Sequence, residues 1–178
     1  MSQTPGGSDI ASDIDAVEAD AFLADSVVVA DNKIYAQGAG WDTIFANTFP
    51  VRHPRLGIGV TLHIPWSATN RMHKFSIQII DQDGQPFPLG DAPPGANLPD
   101  KKLHQLTGQF NVGRPPVLVG GDSQIVPIAV NLDGLTFSGP NSYSVLISVD
   151  GVVKRRLPIR VRAVVQMPGF QPTPPPGA

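Results

Sequence analysis

Between residues 55 and 79 the chain alternates apolar and polar side chains almost without a break, and a period of two admits few folds. Leu56, Ile58, Val60, Leu62 and Ile64 share one side of an extended chain, while Arg55, Gly57, Gly59, Thr61 and His63 share the other. After the segment 65–70, Arg71, His73, Phe75, Ile77 and Ile79 share a face opposite Met72, Lys74, Ser76 and Gln78. A helix would scatter these sets around its circumference; a strand buries each as a stripe. Paired as an antiparallel hairpin with Ile64 opposite Arg71, they set Leu62 beside His73, Val60 beside Phe75, Ile58 beside Ile77 and Leu56 beside Ile79. A one-residue slip would destroy that match, so the pattern predicts this hairpin in this register.

Further short strands follow the same logic. Residues 22–29 and 34–36 flank Asp31-Asn32-Lys33 and read as a hairpin with Asn in its turn. Gly38-Ala-Gly-Trp41 suggests a close backbone approach that leaves room for the indole, with Trp41 as a core anchor. Asp81-Gln-Asp-Gly84 is a turn, residues 90–103 a loop, and residues 105–112 and 124–131 are strands. Tyr143, Val145, Ile147 and Val149 line a strand that ends at the hairpin signal Asp150-Gly151; Leu157, Ile159, Val161 and Val165 return on the core face. With 18 Gly and 19 Pro as punctuation and no long helical period, the expected fold is all-β. Its form is an antiparallel immunoglobulin-like β-sandwich of about seven to nine strands. The runner-up is a partly closed barrel. The expected organisation is an acidic arm over 1–20 (disordered, or a short helix carrying Ile10, Ile14 and Val17), a β-sandwich over 21–166 and a Pro-rich tail over 167–178.

Composition removes whole classes of function. The absence of cysteine excludes disulfide scaffolds and thiol nucleophiles. Residues 1–31 hold seven acidic side chains and no Lys or Arg, whereas the rest has 13 basic against 8 acidic residues. The N-terminus lacks the basic and apolar regions of a secretory signal, and no apolar run reaches membrane-spanning length, so a cytoplasmic protein without membrane contact is expected.

The segment from His63 to His73 concentrates two of the four histidines, Trp66 and an Asn-Arg pair. Alternation sends His63 outward and His73 inward, which splits them as zinc ligands; His53 and His104 lie in loop-like stretches. The expectation is therefore a structural corner, with His73 hydrogen-bonded to loop backbone and Trp66 capping the core. Asp81-x-Asp83-Gly84 lacks the later glycine and glutamate of a calcium loop. No Gly-x-Ser-x-Gly, phosphate-binding loop or dinucleotide fingerprint occurs, so no catalytic residue, cofactor or metal is expected. One charged surface remains: Lys154, Arg156, Arg160 and Arg162 are assigned to a single face of the last strand. Nucleic-acid binding is opposed by the pI near 6.0 and by the lack of aromatics on that face. A solvated face comes first, and docking of the acidic arm, within one chain or across a homodimer, comes second.

The order of Lys33–Trp41, Pro65-Trp-x-x-x-Asn-Arg-x-His73, the segment Phe75–Gly84, Gly113-Arg-Pro-Pro116 and Tyr143–Gly151 resembles an uncharacterised bacterial family. That family is a domain of unknown function common in actinobacteria, and the resemblance spans about residues 22–163. It implies a β-rich cytoplasmic protein and carries no activity, cofactor or site residues. The functional expectation is a non-enzymatic protein-interaction or assembly module with a protein partner or a second copy, its contacts drawn from the basic stripe, Trp66 and His63. The alternatives are a small-ligand or carbohydrate-binding sandwich using the Trp66 loop, and a phage-type structural subunit.

Overall fold

The computed structural model describes residues 16–95, 98, 100–117 and 119–164; they are all-β, with no α-helix among them. Strands β1 (Glu18–Ala24), β2 (Ser26–Ala30), β3 (Lys33–Gln37) and β4 (Thr43–Ala46) lead into the long β5 (Val51–Ile64). A 3-10 turn at Trp66–Ala68 connects β5 to β6 (Met72–Asp81). Two short strands, β7 (Gly90–Asp91) and β8 (Lys102–Leu103), precede β9 (Gln105–Asn111). The chain closes with β10 (Gln124–Phe137), β11 (Asn141–Val149) and β12 (Val152–Ala163).

A three-stranded sheet, β1-β5-β10, and a five-stranded sheet, β4-β12-β11-β6-β9, bury their apolar stripes in one core. All pairings are antiparallel except β4 with β12, which is parallel. Leu56, Ile58, Val60, Leu62 and Ile64 are completely buried, and so are Ile77, Ile79, Val145, Ile147, Ile159 and Val161 from the other sheet. Each such side chain contributes about 1.5–3 kcal/mol relative to exposure, so the alternation that dominates the sequence also dominates the stability.

The expected hairpin between residues 55–64 and 71–79 does not form. β5 pairs with β1 and β10; β6 pairs with β11 and β9. Alternation reports which face of a strand is buried, but not whether an apolar neighbour sits beside it in one sheet or across the core in another. Here Pro65 and the 3-10 turn carry the chain from one sheet to the other, so both stripes are buried as expected from opposite sides.

The N-terminal helix is corrected where it is described: Glu18–Asp20 begin β1, while residues 10–15 lie outside the described residues. Ala19, Ala21 and Leu23 face the core, opposite Leu62, Val60 and Ile58. Burying that stripe outweighs helix propensities that differ by only about 0.7 kcal/mol per residue. Phe22 and Leu23 belong to this strand, and the hairpin is β2–β3, with Asp31 and Asn32 at positive φ in its two-residue turn. The hairpin crosses the outer face of the three-stranded sheet. It rests on Gly57, where a Cβ would lie 3.1 Å from the Ser26 backbone. The Asn131 amide accepts from Val27 N–H at 3.0 Å and donates to Val27 C=O at 2.8 Å, standing in for a strand neighbour. His53 also departs from expectation, lying within β5.

Candidate functional site

The corner between His63 and His73 is closed. His73 is fully buried, and both of its nitrogens face acceptors: Asp150 Oδ2 at 2.7 Å from Nδ1, and Ala68 C=O at 2.7 Å from Nε2. The other Asp150 oxygen accepts Lys74 N–H at 2.7 Å, and Phe110 stacks on the imidazole with centroids 5.2 Å apart. Thr69 and Arg114 both donate to Trp66 C=O, and the Arg114 guanidinium lies 4.6 Å above the Trp66 ring. Three segments are thereby fastened together around His73, although Arg71 Nε and Nη2 in the same stretch are buried without a hydrogen-bond partner. His63 is on the far side of the other sheet, 3.4 Å from Asp20 Oδ2. The two histidines share no site.

The basic stripe is broken up in the fold. A bulge between Ile147 and Ser148 aligns Arg155 with Ile147 and Val153 with Ser148, so the register skips Lys154 and takes it out of line with Arg156. Arg160 pairs with Asp42, whose carboxyl is held below its ordinary range by hydrogen bonds from Thr43 and Arg160. Arg162 donates to Asn141 C=O, Val161 C=O and Ser142 Oγ. Of the acidic residues expected to cover the stripe, Glu18 and Asp20 line a cleft with Lys154 and Arg155, Asp20 also lies near His63, and Asp25 engages Trp41. Asp9, Asp13 and Asp15 lie outside the described residues.

A second constellation assembles from segments the sequence keeps apart. Asp25 follows β1, Trp41 precedes β4, Phe45 sits on β4 and His53 on β5; with Thr43 and Ile44 they line an open cleft of about 280 Å3. Asp25 N–H bonds to Gln37 C=O, and Gly40 N–H to Leu23 C=O, which fixes the hairpin root beside the indole. Trp41 Nε1–H donates to Asp25 Oδ1 at 3.1 Å, and the Trp41 and His53 rings meet edge to face at 5.5 Å. The glycine at 38 makes room for the Asp25 carboxylate: a Cβ there would lie 2.0 Å from Oδ2, and its φ is +63°. Burial pushes the His53 imidazole below its ordinary pKa, against a hydrogen bond with the Arg55 backbone and the charge of Asp25. His53 Nε2 is buried and has no hydrogen-bond partner. Trp41, expected as a core anchor, is only partly buried, and Phe45 is 69% exposed.

Beside this cleft, a shallow groove between the strands of the hairpin is lined by Ser26, Val27, Val28, Tyr35, Ala36 and Gln37. Val28 is 55% and Tyr35 51% exposed. Asp25, in the cleft, is followed directly in the chain by Ser26, in the groove. Sequence reasoning missed the cleft because its members come from four segments. The usable signal was Phe45, which points away from the core between the buried Ile44 and Ala46.

Residues 19–162 match the model of a family of unknown function, DUF6941. The chain belongs to this family. No curated protein matches the chain. The family covers all of both main sheets save Glu18 and Ala163, and therefore both the closed corner and the open cleft. Among the described residues no group of three or more His, Cys, Asp or Glu is placed to hold a metal, and no helix is long and apolar enough to cross a membrane.

Proposed function

We propose that this chain is a non-enzymatic protein-interaction or assembly module, built on an immunoglobulin-like arrangement of two sheets in a bacterial cytoplasmic protein. The observation that carries the reading is a set of exposed apolar side chains, Val28 and Tyr35 paired across the hairpin and Phe45 in the cleft it shares with the partly buried Trp41. Contiguous apolar surface on a small domain marks contact sites more often than chance, and aromatic residues are the side chains enriched there. The basic stripe supports the reading less, because Arg160 and Arg162 already have partners within the chain. Trp66 is covered by Arg114 and the adjoining His73 is sealed, so the Trp66 loop loses its appeal as a small-ligand site. A structural subunit of a repeating particle would be one form of the assembly reading.

Light scattering of the full chain against the triple variant V28T/Y35S/F45S, with each also used as bait in native lysate, tests the proposal. The expectation is an assembly or a captured partner that the variant loses while its melting temperature stays unchanged. A monomer in both proteins, with identical captured material, would overturn it.

A further inference from the structure

We infer that the Asp25–Trp41–Phe45 cleft receives an arginine side chain from an extended segment of a partner protein. The inference rests on the interaction-module reading and names the chemistry of the partner.

The first argument is charge. Asp20, Asp42, Asp91, Asp100, Asp133 and Asp150 each lie within ion-pairing distance of a Lys, Arg or His. Asp81 and Asp122 accept from nearby backbone N–H groups in turns. Asp25 has neither arrangement, a lack it shares with Asp31 and Asp83, but of these three it alone lines the cleft. Its Oδ1 takes the indole N–H, and no cation among the described residues approaches it within ion-pairing distance. His53, the titratable neighbour in the cleft, is held toward its neutral form by burial. The negative charge is thus positioned by Trp41 and Gly38 and left uncompensated.

The second argument is shape. The carboxylate shares the cleft with an indole edge and a largely exposed phenyl, and carboxylate and ring faces together suit a guanidinium, which forks onto the acid while lying flat on an aromatic ring. An ammonium is more strongly hydrated and has no flat face, so arginine is favoured over lysine. The third argument is access. β4 is the edge strand of its sheet and pairs on one side only, with β12. Asp42 and Ala46 C=O accept from Arg160 and Val164 N–H on the β12 side, so by alternation Thr43 and Phe45 direct their backbone groups to the open side, where a strand can be added, and both residues line the cleft.

The test follows the two indole N–H signals of 15N-labelled full chain, assigned with Trp66→Phe, during titration with an acetylated and amidated Val-Thr-Arg-Thr-Val peptide. The control peptide carries citrulline, the neutral isostere of arginine. The expected result is a saturable shift of the Trp41 signal, with the arginine peptide binding roughly tenfold more tightly than the citrulline peptide. Asp25→Asn should erase that preference, and Phe45→Ala should weaken the arginine peptide without moving the Trp66 signal. Equal affinity for both peptides would overturn the cation chemistry while leaving the apolar contact surface in place. No Trp41 response to either peptide at about 10 mM, weaker than any specific contact worth the name, would remove the cleft from the interface. The light-scattering result then decides the module reading separately.

Discussion

The closed corner at His73 and the open cleft at Trp41 are built from the same kinds of side chain: an aspartate, a histidine, a tryptophan and a threonine. They differ in how far those groups satisfy one another. At the corner, Asp150 bonds His73 and Lys74, His73 also bonds Ala68, and Arg114 covers Trp66. In the cleft, the Asp25 carboxylate bonds only the indole, His53 Nε2 has no partner, and Phe45 stands in solvent. Buried polar groups are costly unless paired, so a completed network holds a fold together and an incomplete one at a surface leaves interactions for something else. A histidine-rich stretch of sequence is therefore a poor guide to a binding site until the partners of its nitrogens are known.

The comparison breaks first at Asp150. Asp150→Ala would leave His73 buried without its carboxylate and Lys74 N–H without an acceptor, a loss of about 3 kcal/mol in urea unfolding. Asp150→Asn keeps the positive φ, an oxygen for Lys74 and a polar amide beside His73 Nδ1, so it should cost less than about 1 kcal/mol. Asp25→Asn, in the open cleft, should cost less than about 0.5 kcal/mol. Equal losses at Asp150→Ala and Asp25→Asn would dissolve the distinction.

Gly38→Ala comes next, at about 1.5 kcal/mol, because a Cβ meets the Asp25 carboxylate and the backbone is left-handed there. It should also move the Trp41 indole N–H resonance, whereas an unmoved resonance would mean that Asp25 does not depend on this glycine. Arg114→Gln removes the cation over Trp66 and at least one hydrogen bond to the corner, for about 1 kcal/mol by the same urea measurement. An unchanged midpoint would reduce Arg114 to a surface ornament of the corner.

The smallest effect is a pH dependence. Burial lowers the folded His53 pKa below its ordinary 6.5, so the unfolded chain binds more protons between the two values. The associated stability is present above 6.5 and is lost as pH falls from there toward the folded value. His53→Gln should flatten that part of a melting-temperature profile between about pH 7 and pH 5, roughly the range in which imidazoles titrate. An identical acid limb in the variant would remove His53 as its source.

Much of the fold could be read from residue order alone. Alternation identified the buried faces of β5, β6, β11 and β12, and Asp150-Gly151 located the turn between the last two. What alternation lacks is the address of the neighbouring strand. Val60 and Phe75 are equally buried whether they lie side by side or face each other across the core, so the pairing of β5 with β6 was a natural error. β1 was missed for a different reason. Its core-facing residues include Ala19 and Ala21, too small to outweigh Ile10, Ile14 and Val17 at helical spacing. The corner was legible as structure, though the Asp150 carboxylate looked like a turn residue and nothing local linked it to His73, 77 positions away. The cleft was barely legible. Gly38 and Gly40 signalled a close approach, but the group that needs the space is the Asp25 side chain, not the indole.

Collisional quenching of two single-tryptophan variants, Trp66→Phe and Trp41→Phe, tests the contrast most directly. Caesium and iodide efficiencies, each normalised to N-acetyltryptophanamide, report the sign of the charge beside each ring. The account predicts that Trp41, held by the Asp25 carboxylate, is the more accessible and favours caesium. Trp66, under the Arg114 guanidinium, should be the less accessible and favour iodide. The same ion preference at both rings, or a Trp66 quenched more readily than Trp41, would contradict the division into a closed corner and an open, anionic cleft.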